Sequence, residues 1–246
     1  MIDYNVYHFS KRELLWIIFK GSILYSVVLY LFYQEIILIF LSIPISFFYV
    51  KKEKKNRMEE RKWQLNLQFK DAVISLSNAL SAGYSVENAF KESAEELIPM
   101  YGRDSYIVSE FVVIINQISM NRTIEEILYD FACRSGVEDI ENFSEVFITA
   151  KRTGGNIIKI IRMTAKTMGE KIEVKREIKT MITAKRLEAG IMSYIPCGIL
   201  AYLQFFSGNF LEPLYHNFIG RLIMTVLLAV YWGAVKLSVY IMKIDI

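Results

Sequence analysis

The chain has 246 residues, of which 53% are hydrophobic and 14% aromatic, with a mean hydropathy of +0.28. These values are high for a water-soluble domain. The net charge of +3, from 29 basic and 26 acidic residues, is too small and too mixed in sign for a nucleic-acid binder. The two cysteines, Cys133 and Cys197, form no CxxC or CxxH spacing, which argues against a disulfide framework or a zinc site.

Residues 1–12 read as a cytoplasmic N-terminus. Lys11 and Arg12 precede an apolar run, but no small-x-small cleavage site follows, so the run reads as an uncleaved first membrane helix rather than a signal peptide. Two apolar stretches, Leu14–Tyr33 and Ile36–Val50, predict a transmembrane hairpin over residues 13–50. The second stretch contains Pro44 and is short, since 15 residues at 1.5 Å each span about 22 Å of a ~30 Å hydrocarbon core. Local thinning, or snorkelling by Lys51 and Lys52, would close that gap. A single helix over Gly21–Val50 is the rival, but it would put Gln34 and Glu35 at mid-membrane. Lys20 and Lys236 lie inside apolar stretches close enough to an end for their ammonium groups to reach the headgroups.

Residues 51–64 form a basic cytoplasmic linker, with Lys51, Lys52, Lys54, Lys55, Arg57, Arg61 and Lys62. From there to residue 186 the pattern is helical. Phe69, Ala72, Val73, Leu76, Ala79 and Leu80 follow the spacing of one buried helix face. Gly83 supplies a left-handed stop and Ser85 an N-cap, after which Val86, Ala89, Phe90 and Leu97 make the next stripe. Pro99 and Gly102 break the pattern. Ile107, Phe111, Ile114, Ile115 and Ile118 form a third stripe. Thr123 with Glu126 matches a capping box ahead of Ile124, Ile127, Leu128 and Phe131, and Gly136 ends that helix. Ile140, Phe143, Val146, Phe147 and Ala150 make a fifth stripe. The chain turns at Gly154–Gly155 with Asn156 as cap, and a last helix runs from Ile157 as a charged stalk straight into the third membrane stretch, about 75 Å in all from Asn156 through Phe206. Six amphipathic helices bury enough apolar surface for one bundle.

Two further stretches, Ala189–Phe206 and Leu222–Met242, predict a second transmembrane hairpin over residues 187–246. Lys171, Lys175, Arg176, Lys179, Lys185 and Arg186 flank it on the side of the bundle. The connections Gln34–Glu35 and Ser207–Arg221 are poor in basic residues. The positive-inside rule therefore places both termini and the central domain in the cytoplasm. The expected architecture is all-α: an integral membrane protein with four transmembrane helices, two N-terminal and two C-terminal, flanking a cytoplasmic six-helix bundle.

The segment Leu76-Ser-Asn-Ala-Leu-Ser-Ala-Gly-Tyr-Ser-Val-Glu-Asn-Ala-Phe90 resembles the first helical hairpin of the type II secretion F domain. Ala150-Lys-Arg-Thr-Gly-Gly-Asn-Ile157 resembles that domain's second signature. The order of these motifs, the Thr123 helix and the flanking membrane hairpins extend the resemblance over roughly Leu65 to Met242. Within the superfamily the chain is most similar to the single-domain branch, the TadB/TadC proteins of Tad (Flp) pilus assembly, because it carries one copy of the helical domain where GspF- and PilC-type relatives carry two. The resemblance implies a non-enzymatic platform protein of the bacterial plasma (inner) membrane, working in pilus biogenesis or protein secretion. It implies as partners a cytoplasmic hexameric assembly ATPase, prepilin or pilin subunits, and either a paralogous F-domain protein or a second copy of the chain. It also makes Gly83, Ser85, Thr153, Gly154, Gly155 and Asn156 the family-motif positions.

No catalytic constellation is recognisable. GxSxG and the Walker pattern are missing, and His8 and His216 have no partner at metal or catalytic spacing. No cofactor is expected. Glu138, Asp139, Glu141 and Glu145 crowd one helix start. Glu138, Glu141 and Glu145 share a face and are the weak candidates for a divalent cation, although such carboxylates more often favour the helix dipole. Glu138, Asp139, Lys151 and Arg152 are candidates for a partner contact. Ser22 with Ser26, and Ala229 with Gly233, are small pairs at membrane-helix spacing that permit close packing, within the chain or between copies. A transporter or channel component with a cytoplasmic regulatory domain is the alternative. It would need polar inward-facing groups at mid-membrane, for which Ser193, Pro196 and Gln204 are the candidates.

Overall fold

The computed structural model describes residues 1–35, 42–153, 157–207 and 211–241, with the backbone alone at 42–48 and 216. The described residues fold into helices joined by short turns and contain no strand. In chain order the helices are α1 (Lys11–Tyr33), α2 (Ser42–Ser81), α3 (Val86–Tyr101), α4 (Tyr106–Ser119), α5 (Ile124–Ser135), α6 (Glu138–Thr153), α7 (Ile157–Phe206), α8 (Glu212–His216) and α9 (Phe218–Ile241). The chain divides into two compact units, Met1–His8 with Lys54–Val174, and Phe9–Glu53 with Lys175–Ile246. Helices α2 and α7 each contribute to both.

The first unit is built on one apolar cluster drawn from α2, α3, α4, α5, α6 and the start of α7. The α2 stripe read from the sequence is buried along its whole length, from Phe69 to Leu80. Aromatic rings hold the centre. Phe69 meets Phe131 and Phe143 edge-on at 5.8 and 5.3 Å, and Phe90 meets Phe111 at 5.3 Å, within the 4.5–7 Å range that aromatic pairs favour. α7 joins through Ile161, Ala165 and Met168, and Ile172 continues the same buried face, a spacing of four, three and four residues.

Local chemistry explains the corners. After α2, Gly83 adopts φ +93°, the Tyr84 N–H bonds the Ala79 carbonyl at 3.2 Å, and the Gly83 N–H bonds the Leu80 carbonyl at 3.1 Å. This is a Schellman closure, and it needs a residue that tolerates the left-handed region. Ser85 then caps α3, its hydroxyl accepting from the Asn88 N–H at 3.3 Å.

Several expectations need correction. Pro99 does not break α3, which runs on to Tyr101 and stops at Gly102 (φ +83°). A proline this close to the C-terminus removes one ladder bond without stopping the last turn. Thr123 occupies the N-cap of α5, but its side chain makes no capping bond; Glu126 lies 3.9 Å from Arg122 instead. Val146 faces outward, because the α6 stripe is completed by Phe143, Phe147 and Ala150. Residues 51–64 are an interior stretch of α2, since nothing in that charged run interrupts a helix. Of the stretch Ile36–Val50, residues 36–41 lie outside the described residues, and α2 begins at Ser42 with Pro44 in its first turn, where proline is tolerated. The turn Gly154–Asn156 also lies outside the described residues.

In the second unit, α1 stops at Tyr33 because Gln34 turns left-handed (φ +53°) and caps onto the Tyr30 carbonyl, so the single helix over Gly21–Val50 does not form. α9 starts at Phe218, earlier than the predicted 222, so Arg221 lies inside the helix. Arg221 pairs with Glu35 at 2.6 Å, which brings the two acidic-to-neutral connections of this unit together. Tyr33 donates to Thr225 at 3.0 Å, and Tyr215 donates to the Leu31 carbonyl at 2.9 Å. Tyr231 on α9 donates to the Ser193 carbonyl on α7 at 2.9 Å, three residues before Pro196. Gly220 is where α8 and α9 meet closely, since a Cβ there would lie 2.5 Å from the Leu214 carbonyl oxygen.

Among the described residues three helices are long and apolar enough to cross a membrane, α1, α7 through its second part, and α9. They carry large apolar side chains on their outsides, including Trp16, Phe19, Tyr202, Phe205, Leu222 and Trp232. That surface suits lipid, which is as apolar as the side chains themselves.

Helix α3 is tied to α2 by the Tyr101 hydroxyl, which donates to the Asp71 carboxylate. Burial and that carboxylate push the Tyr101 phenol up to about 12. A raised phenol stabilises the fold below the unfolded value, about 10, and loses that contribution as pH rises through the folded one. The denaturation midpoint of the wild-type protein in detergent is therefore expected to exceed that of Tyr101→Phe at pH 8, with the difference shrinking by pH 12. A gap that is constant with pH would contradict this assignment.

Candidate functional site

The α5–α6 corner holds three of the charged residues that the sequence singled out, Glu138, Asp139 and Glu141. α5 ends at Gly136 (φ +55°), and α6 starts at Glu138. Asp139 is only 6% exposed. It accepts from Asn66 of α2 at 2.7 Å and from the Lys171 ammonium of α7 at 2.7 Å. Asp139 is thus an interior tie between three helices and does not face a partner, a correction to its reading as a contact residue. The reason is rotational: one position after Glu138, it falls on the side of α6 that carries Ile140 and Phe143. Glu138 stays at the surface and accepts from the same Lys171 at 3.1 Å. Burial alone would lower the Lys171 value, but the two carboxylates carry it above the ordinary lysine range.

Glu141 and Glu145 are exposed. Among the described residues no group of three or more His, Cys, Asp or Glu side chains is placed to hold a metal ion. Glu138 is instead occupied by an ammonium group.

At the far end of α6, Lys151 pairs with Glu125 of α5 at 3.0 Å. Burial raises the Glu125 carboxyl, but the Lys151 hydrogen bond and charge outweigh that and hold it below its usual range. Arg152 is exposed, and the Thr153 hydroxyl folds back to the Thr149 carbonyl at 2.9 Å. Beside this end a groove of about 600 Å³ runs between α6 and α7, lined by Val146, Thr149, Thr153, Ile160, Met163 and Thr164, with Glu145 at its edge. The signature segment starting at Ala150 therefore borders a concave, mostly apolar surface on the first unit.

A second charged cluster was not anticipated. Glu110, 1% exposed on α4, receives both terminal nitrogens of Arg134 from α5, at 2.8 and 3.1 Å. The Tyr4 hydroxyl donates to the same carboxylate at 3.2 Å. Tyr4 is wholly buried, so residues 1–5 belong to the domain and are no free tail. Burial, and then the Glu110 charge, raise the Tyr4 phenol far above its ordinary value. Burial would lower Arg134, yet the bonds to Glu110 and Asp130 raise it. One signal was legible: Glu110 lies at the three- and four-residue spacing of Ile107, Phe111 and Ile114, and a carboxylate on a buried face requires a cationic partner. Nothing near Tyr4 in the sequence marks it as core.

Of the membrane packing pairs, Ser22 and Ser26 are half-buried, whereas Ala229 and Gly233 are exposed. A Cβ at Gly233 would meet nothing within 4 Å among the described residues.

Asp139→Ala leaves the Lys171 ammonium and the Asn66 amide without their buried acceptor. The expected destabilisation is about 2–4 kcal/mol, read as a lowered denaturation midpoint in detergent. A loss within 0.5 kcal/mol, typical of an ordinary surface position, would show that the tie does not hold the three helices.

Comparison with curated proteins and with solved structures gave no match. A family model does match: Type II secretion system (T2SS), protein F, over residues 72–205. The matched region runs from Ala72 in the buried stripe of α2 through α3 to α6 and along α7 to Phe205, and leaves Tyr4, Leu65 and Phe69 of the core outside it. It covers more than half of the chain, and the protein belongs to the type II secretion system protein F family.

Proposed function

We propose that this protein is the membrane platform of a pilus or secretion machine, coupling a cytoplasmic assembly ATPase to the extraction and polymerisation of pilin subunits. Proteins of this family generally work in membrane secretion or pilus machinery with an ATPase. The single observation that carries the reading is the continuity of α7. The same 50-residue helix that supplies Ile161, Ala165 and Met168 to the core of the first unit goes on to supply a candidate membrane span. A force on the helical unit would then act on an element that itself enters the bilayer.

The finer reading is a single-domain, TadB/TadC-like protein of a Tad (Flp) pilus system. It has four spans, the stretch before Lys51 completing the first hairpin, around a cytoplasmic six-helix bundle. Both termini and the bundle face the cytoplasm. The exposed pair Ala229 and Gly233 suits a seam with a paralogous protein or a second copy, which a one-domain platform needs if two domains make a working unit. Glu138, Lys151 and Arg152 remain the residues offered for contact with a partner, with Gly83, Ser85 and Thr153–Asn156 as the family's structural positions. The protein is read as a non-enzymatic scaffold without cofactor.

A Gly-Gly-Pro insertion beside Lys175 interrupts α7 where the two units divide. It is expected to abolish filament or pseudopilus assembly while membrane insertion and protein level stay unchanged. Normal filament production from that variant would reject the coupling role. Topology is checked separately. A cysteine at position 120, in a variant lacking Cys133 and Cys197, is expected to stay unlabelled by a membrane-impermeant maleimide in intact cells and to react after lysis. Labelling in intact cells would reverse the orientation.

A further inference from the structure

The segment around Tyr4 is held as a ligand is held. It forms no helix, and the chain passes out of the first unit between His8 and Phe9. Its contacts read both backbone and side chains. The Tyr4 N–H bonds the Arg134 carbonyl at 3.1 Å, and the Arg134 guanidinium donates to the Ile2 carbonyl at 3.0 Å. The Tyr4 ring enters a closed pocket, edge-on to Tyr106 at 5.9 Å, where its hydroxyl finds Glu110. The Asn5 amide is read at both ends. Its nitrogen donates to the Cys133 and Arg134 carbonyls at 3.2 and 3.3 Å, and its oxygen accepts from the Lys62 ammonium at 2.7 Å. Lys62 also binds the Gly136 carbonyl at 3.2 Å, which fixes it in place. Gly136 leaves room for this amide, since a Cβ there would lie 2.1 Å from the Asn5 oxygen.

We propose that this slot, formed by α4, the end of α5 and Lys62 of α2, is a peptide-recognition site for a tyrosine followed by an asparagine, filled here by the chain's own Tyr4–Asn5 and able to take the same segment of a second copy. The chemistry selects each feature. A phenylalanine would fill the pocket but leave the buried Glu110 carboxylate short of one donor, and such carboxylates bind hydroxyl donors strongly. An alanine in place of Asn5 would take from Lys62 one of its two acceptors and from the Cys133 and Arg134 carbonyls their side-chain donor. Covalent attachment makes the cis segment its own competitor, at an effective concentration on the order of millimolar, so a segment from another copy enters only when the cis one is released.

The test uses the full chain in detergent with a protease site inserted between His8 and Phe9. After cleavage, excess fluorescent peptide comprising residues 1–8 is expected to bind saturably while the helical circular-dichroism signal is unchanged. A peptide carrying Tyr4→Phe should bind about ten-fold more weakly or worse, and one carrying Asn5→Ala should also weaken. The uncut chain should take up the labelled peptide at least ten-fold less readily than the cut one. Absence of saturable binding, equal binding of the Tyr4→Phe peptide, or loss of helix on cleavage would overturn the proposal, the last because it would make the segment a structural part of the core. Hydrogen exchange on the uncut chain gives an independent reading. The Tyr4 amide should exchange faster than the core amides of α4, as a releasable segment must, and equal rates would count against release.

Discussion

An α-helix satisfies its own backbone hydrogen bonds wherever it goes, and in a bilayer that self-sufficiency is compulsory, because lipid offers no substitute partner. α7 depends on this property more than any other element. Its first part is charged and its last part apolar, yet Ile157–Phe206 is one helix that includes Gly190, Pro196 and Gly198. Its side chains change environment along the way while its backbone does not. Its buried residues end at Ile172, so beyond that point its conformation owes nothing to the core of the first unit. α2 follows the same logic in the opposite chain direction, running from Ser42 through the basic stretch to the buried stripe that ends at Leu80. Both helices that leave the first unit for the second thus do so without a turn.

The first unit is held by two kinds of contact with different consequences. The aromatic cluster around Phe69 supplies the non-directional part, proportional to apolar surface removed from water. The buried charges supply direction. Asp139 accepts from α2 and α7 at once, and Glu110 accepts from α5 and from Tyr4. Such groups contribute little relative to apolar replacements but are costly to leave half-paired. They therefore penalise any helix rotation or slip that would separate the partners. The family signature beginning at Ala150 lies beside a groove on this same body, where the α6 face left free by the core meets α7.

The second unit is organised differently. Few of its side chains are buried; Phe32, Leu211, Tyr215 and Met224 form a small cluster at the end where α1 stops and α8 and α9 begin. The hydroxyls of Tyr33, Tyr215 and Tyr231 bond across helices, and Arg221 of α9 pairs with Glu35 just past the end of α1. Most of the remaining surface is large and apolar. Packing of that kind is incomplete in water and complete in lipid or against another membrane helix, in keeping with a family of membrane machinery proteins.

The sequence by itself determined what is decided within a few residues. The Gly83 stop, the Ser85 cap, the Gly136 terminus and the helical stripes of α2 to α7 follow from φ preferences, side-chain capping and 3.6-residue periodicity, all of which act locally. The helix end at Gln34 was legible too, because placing Gln34 and Glu35 inside a hydrocarbon core would be costly. Only the tertiary structure decided which polar residues go inside. Asp139 and Glu138 are neighbours of the same type, and a rotation of about 100° between successive helical residues separates a buried tie from a surface pair. Tyr4 became core because Glu110 and Arg134, more than a hundred residues away in the sequence, form a pocket with an acceptor at its end. Local rules set the helices and their ends, and contacts between residues far apart in the sequence, such as Asp139 with Asn66 and Tyr4 with Glu110, settle which polar groups are buried.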